Sequence, residues 1–158
     1  MTNQSFTWKN LLDDLLKDTQ PQVHNEQDDG ITETYMRTVM QNHIDMINKE
    51  TAVSTSLYYA DDIVVEDPYG ATRFKGKEGE RQGFRQMADV SFIPQKAELV
   101  APISTSYGNK AAMAFKLYAQ IDGHDVTIDI IETMTFNDAG DVTERIAYWG
   151  KENVTLLD

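Results

Sequence analysis

Apolar residues recur along the chain with two periods, and the change from one to the other divides it. Near the start, Phe6, Trp8, Leu11, Leu12, Leu15 and Leu16 fall on one broad helical face, with Ser5 or Thr7 placed to cap it. The proline, glycine and polar residues of PQVHNEQDDG, residues 21–30, read as a linker. The spacing of Met36, Met40, His43 and Ile47 predicts a second helix from Ile31 to about Asn48. ETAVSTSLYYADD carries the pattern on as a further helix ending near Ala60. KGKEGERQGFRQMADV predicts another, with Phe84, Met87 and Val90 on one side and two interior glycines weakening it.

The period then becomes two. A strand over 63–67 stops at Pro68, and strands are expected near 96–105, 110–121, 125–136 and 141–149. SYGN, DGH and NDAG supply the turn residues between the last four. Helices first and a long antiparallel run afterwards indicate an α+β fold, a curved antiparallel sheet closing over helices. Residues 1–30 form a helix-and-linker appendage and 31–158 the folded domain, whose inner wall is Met113, Phe115, Leu117, Ile128, Ile130 and Met134.

Three titratable side chains interrupt the apolar faces. In IDIIETMTF, residues 128–136, Glu132 shares a side with Ile128, Ile130, Met134 and Phe136. In ADDIVVEDPYG, Asp67 shares a face with Ile63 and Val65, while Glu66 points the other way, and His43 belongs to the apolar stripe of its helix. Each has a structural and a chemical reading. An Asp before a Pro often organises a turn, and beside an apolar surface it is also a candidate base. Glu132 is a buried carboxylate paired with Arg145 or Lys116, or a carboxyl kept neutral by desolvation so that it can donate a hydrogen bond; a register shifted by one would expose it. His43 is a satisfied core histidine or, opposite Glu132, a neutral imidazole with one N–H to give.

Composition narrows the classes. Among 158 residues, 26 acidic against 14 basic give a net charge of -12, which argues against nucleic acid or an anionic membrane surface as a partner. The absence of cysteine excludes disulfides and thiolate chemistry but leaves the compartment open. MTNQSFTWKN has no basic flank before a long apolar run, so no signal peptide or membrane span is expected and the cytoplasm is the default. His24, His43 and His124 lack ligand spacing, DAGD is too short for a calcium loop, and no glycine-rich phosphate loop or nucleophile elbow occurs. No metal or cofactor is expected.

YYADDIVVEDPYG and IDIIETMTFNDAGDVTERIAYWGKEN carry a resemblance. They resemble the segments Y-A-D-D-A-T-V-E-D-P-x-G and L-D-V-I-D-V-M-R-F-D-x-x-G-x-I…A-Y-W of ketosteroid isomerases, in the superfamily of nuclear transport factor 2 and SnoaL-like proteins. The match runs from about residue 34 to 157. It implies a cone-shaped pocket, a cofactor-free enzyme on a hydrophobic small-molecule substrate, and a homodimer. Asp67 matches the family's general base, Tyr59 a tyrosine of its hydrogen-bond network, and Met113, Phe115, Ile128, Ile130 and Trp149 positions lining its steroid pocket. At the oxyanion hole the sequence departs: His43 stands for the donor tyrosine, Glu132 for the protonated aspartic acid and Phe84 for a supporting tyrosine. The expected activity is proton transfer through an enolate, of the steroid delta-isomerase type, with Asp67, His43 and Glu132 catalytic. The alternatives are a dehydratase or cyclase of the scytalone dehydratase and SnoaL type, and a binding module without catalysis.

Overall fold

The computed structural model describes residues 6–17, 31–89 and 91–157, with the backbone alone at Phe84. The predicted linker, 21–30, lies outside them. The chain separates into two compact units, Met1–Gly30 and Ile31–Asp158. In the first, α1 (Trp8–Lys17) starts at Thr7, whose Oγ1 accepts from the Asn10 N–H at 3.1 Å.

In the second unit, α2 (Glu33–Ile47) is capped by Thr32, whose Oγ1 accepts from Tyr35 N–H at 3.0 Å. It buries Met36, Val39, Met40, His43 and Ile44 on one face. The helix expected to run on to Ala60 does not form. Lys49 takes φ 58, and the Glu50 and Lys49 N–H groups donate back to Asp45 and Met46 carbonyls, which closes α2 in a Schellman turn. Beyond it the Thr51 and Ser54 hydroxyls take the N–H groups of Val53 and Ser56, offering the backbone an alternative to helix. What remains is one 3₁₀ turn, Thr55–Tyr58.

Among the described residues seven strands form one open sheet: β1 (Tyr59–Glu66), β2 (Arg73–Lys75), β3 (Ile93–Leu99), β4 (Lys110–Ile121), β5 (His124–Phe136), β6 (Val142–Tyr148) and β7 (Val154–Leu156), in spatial order β2-β1-β6-β5-β4-β3 with β7 on β5. With α2 and with α3 (Gly76–Asp89), which packs on β1 and β2, they make the expected α+β fold. The strand expected over 96–105 starts earlier and ends at Leu99, leaving Ser104 in a single bridge to Ala112. The β4–β5 hairpin turns on Asp122 and Gly123, φ 50 and 82, as a two-residue turn with both residues at positive φ. One pairing departs from the antiparallel pattern: β1 and β6 run parallel.

The core lies between α2 and the inner sheet face, where Met36, Met40, Ile63, Ile128, Met134 and Phe136 are fully buried. Each contributes about 1.5–3 kcal/mol relative to exposure. At the end of α2, Asn48 continues the β3 edge: Nδ2 donates to the Ala97 carbonyl at 2.9 Å and Oδ1 accepts its N–H at 2.8 Å.

Candidate active site

The parallel pairing of β1 with β6 sets Val65 beside Arg145 and Glu66 beside Ile146, so the chain leaves β1 at Asp67 where β6 approaches Trp149. On the other side β6 pairs with β5, Arg145 opposite Met134 and Ala147 opposite Glu132. Arg145 and Glu132 are therefore diagonal neighbours on the inward face, within reach of long side chains. Glu132 is 1% exposed and continues the buried row of Ile128, Ile130 and Met134, the placement its strand parity predicts.

Arg145 is the centre of the cluster. Its Nη1 donates to Glu132 Oε1 at 2.8 Å and lies 3.5 Å from Asp67 Oδ2. Trp149 Nε1–H donates to Asp67 Oδ1 at 2.8 Å. His43 Nε2 is 3.6 Å from Glu132 Oε1, too long for a good hydrogen bond.

Burial governs the protonation states. It pushes the His43 imidazole down to about 3, helped by the positive Arg145 and opposed by Asp67, so His43 is neutral near pH 7. The Glu132 carboxyl is pushed up by burial, against the attraction and hydrogen bond of Arg145. The Tyr59 phenol is pushed up to about 12, again chiefly by burial, and stays protonated. Arg145 is raised because Tyr59, Glu132 and Asp67 surround it and outweigh its desolvation, so it remains a cation.

A cavity of about 340 Å³ opens beside this cluster. Of the residues expected at the site, Asp67, Ile128, Ile130 and Trp149 line it. Tyr59, Met113 and Phe115 are buried in the core and do not, and the side chain of Phe84 lies outside the described residues. His43 and Glu132 also stand off the wall, with Arg145 between Glu132 and the cavity. The structure thus brings Asp67, Trp149 and Glu132 together through an arginine that sequence reasoning held only as one possible partner of Glu132. Its signal was parity: Arg145 and Ala147 alternate along β6, Trp149 continues the same spacing just past its end, and Ala147 is buried. Glu80, on α3, is a second cavity carboxyl that the sequence reading missed. No group of three or more His, Asp or Glu side chains among the described residues converges so as to hold a metal, and no described helix is long and apolar enough to cross a membrane.

The SnoaL-like domain family matches residues 40–145, more than half of the chain, from α2 through Arg145. The chain belongs to this family. Similar to this SnoaL-like domain is the steroid delta-isomerase of Nocardioides simplex, 22% identical over 121 residues, a match covering 77% of this chain and 94% of that protein. Among solved structures, SalBIII, an epoxide hydrolase/cyclase-like enzyme in pyran ring formation in the polyether salinomycin, superposes with a TM-score of 0.65 at 15% identity, covering 79% of this chain and 98% of that one. RV0760c of Mycobacterium tuberculosis superposes at 0.66 with 20% identity, covering 80% and 99%. These neighbours share the fold of the wider superfamily of nuclear transport factor 2.

Proposed function

We propose that this SnoaL-like domain is an isomerase of the steroid delta-isomerase type, moving a proton through an enolate on a hydrophobic carbonyl compound without a cofactor. The observation that carries this reading is an aspartate on the wall of a largely apolar cavity, oriented by an indole N–H: Asp67, held by Trp149 at 2.8 Å. Trp149 occupies Oδ1, and Oδ2 lies 3.5 Å from Arg145, beyond a strong hydrogen bond, so a lone pair on Oδ2 is left for a substrate proton. Asp67 removes the proton next to the carbonyl and later returns it to another carbon. Arg145 supplies positive charge to the developing enolate oxygen, in a site where apolar walls weaken screening. Glu132 anchors Arg145 from the core, and neutral His43 leaves that ion pair undisturbed. Both are positioning residues in this scheme. The similarity to a steroid delta-isomerase supports the substrate class.

The test is Asp67→Asn assayed on a 5-ene-3-ketosteroid. The amide is nearly isosteric but cannot take the proton, so kcat should fall by roughly 10²–10⁴-fold with the fold unchanged. A variant that kept most of the parent rate would exclude Asp67 as the base.

A second reading follows from another observation, two carboxylates on one guanidinium nitrogen, Glu132 at 2.8 Å and Asp67 at 3.5 Å. A cyclase or dehydratase needs an acid for the leaving oxygen and a base for the nucleophile or proton. The likeness to SalBIII fits that class. Conversion of a hydroxy-epoxide, or loss of water from a hydroxy-ketone, with no action on the ketosteroid would select it. The burial of Glu132 away from the cavity weighs against it as a substrate-touching partner.

A further inference from the structure

The cavity holds one ionisable group to which neither Asp67 chemistry nor the Arg145 anchor gives a task. Glu80, Gly83 and Met87 recur along α3 and all line the cavity. The rotation of α3 that turns them there is set by close contact with β2. A Cβ at Gly79 would lie 3.2 Å from Phe74 Cβ, and one at Gly83 would lie 2.9 Å from Phe74 Cε2, so the helix rests on Phe74 where it has no side chains. Glu80 is half-buried and makes no ion pair among the described residues.

The groups facing Glu80 are Arg145 from β6, Lys77 and Arg81 from its own helix, and Tyr59 from β1. Asp67 shares the cavity. Each cation already has a nearer carboxylate: Arg145 has Glu132 at 2.8 Å, Lys77 has Asp61 at 3.3 Å, and Arg81 has Glu78 at 3.1 Å. A carboxyl on an apolar cavity wall whose cationic neighbours are committed elsewhere is shifted toward its neutral form, which is a hydrogen-bond donor.

We propose that Glu80 is a second catalytic residue, a carboxylic acid whose O–H donates to the substrate's carbonyl oxygen while Asp67 removes the neighbouring proton. This inference rests on the isomerase reading and names the oxyanion donor for it. As the C–H bond breaks, the proton goes to Asp67, the electron pair forms the carbon–carbon double bond of the enolate, and the carbonyl pair moves onto oxygen. Glu80 hydrogen-bonds that oxygen and keeps its own proton. Asp67 then protonates the far carbon and the carbonyl re-forms, so no oxidant or further reactant is needed. Burial raises the Glu80 carboxyl above its usual range against the pull of Arg145, Lys77 and Arg81, in the direction that keeps the donor protonated.

The experiment compares the full chain with Glu80→Gln, Glu80→Leu and Asp67→Asn. Steady-state rates on a 5-ene-3-ketosteroid are measured from about pH 5 to about pH 9, and affinity for 2-naphthol, a phenol resembling the enolate, by titration calorimetry. Glu80→Leu, which has no donor, should lose about 10²–10³-fold in kcat. Glu80→Gln keeps an N–H donor, so it should lose less, bind naphthol more tightly than the leucine variant, and lack the fall in rate that the parent shows as pH rises through the Glu80 titration. A Glu80→Leu protein with the parent kcat and pH profile overturns the inference. If Asp67→Asn is inactive in that case, the isomerase reading stands and Glu80 alone is excluded. If Asp67→Asn keeps the parent rate, or the parent turns over no ketosteroid, the isomerase reading fails. Equal naphthol affinity in the glutamine and leucine variants then removes the donor role as well.

Discussion

Glu132 and Arg145 form an ion pair whose members are 1% and 12% exposed in their side chains. Removing one member of such a pair strands the other charge in a poorly solvated place. Glu132→Leu should therefore cost about 3–5 kcal/mol in urea unfolding. Glu132→Gln should cost less, because its amide oxygen still accepts from Arg145. His43 gives a pH signature. It binds a proton near 6.5 when unfolded and only near about 3 when folded, so between those values the unfolded chain holds the extra proton. Its contribution to stability is complete above the unfolded value and declines on acidification by up to about 1.4 kcal/mol per pH unit. His43→Leu should flatten the dependence of unfolding free energy on pH across that window, relative to the parent. At this scale the sequence revealed that Glu132 faces inward, because β5 alternates from Ile128 to Phe136 and parity decides the face. It left the partner open, since Arg145 is reached only through the pairing of β5 with β6, which no local period records.

The contact of α3 with β2 shows how an element controls the cavity. A glycine inside a helix costs about 1 kcal/mol relative to alanine, so Gly79 and Gly83 work against helix propensity. Their compensation is the close approach to Phe74, which itself lines the cavity. Gly83→Ala should push the Phe74 ring into that space. The expected outcome is weaker binding of a four-ring steroid with little change for 2-naphthol, and a net stability change within about 2 kcal/mol, because overpacking of about 1–3 kcal/mol opposes the gain in helix propensity. Calorimetry on both ligands and urea unfolding would check it. Element prediction succeeded where chemistry was local. Asp122–Gly123 defined a hairpin, and the period of α2 placed His43 on its buried face. It failed over 49–60, where a left-handed Lys49 and a run of hydroxyl side chains ended the helix. It also passed over β2 and β7, since three residues are too few to display a period.

Over the whole molecule the 26 acidic and 14 basic residues leave a net charge of -12, whose mutual repulsion is weakened by salt. Surface ion pairs such as Lys96–Glu98 weaken too, but each is worth little. The melting temperature should thus be a few degrees higher in about 0.5 M sodium chloride than in about 10 mM buffer, read by calorimetry. The parallel seam between β1 and β6 has a consequence in time. Asp67 and Trp149, bonded in the folded protein, are 82 residues apart in the chain. A ribosome working from the N-terminus delivers the aspartate long before the strand that orients it. Until β6 emerges, β1 lacks its parallel neighbour and Asp67 lacks both the indole and the guanidinium that hold it. A nascent chain stalled before residue 145 therefore carries the acid but not the assembled site, and the cluster forms only as the last long strand leaves the exit tunnel.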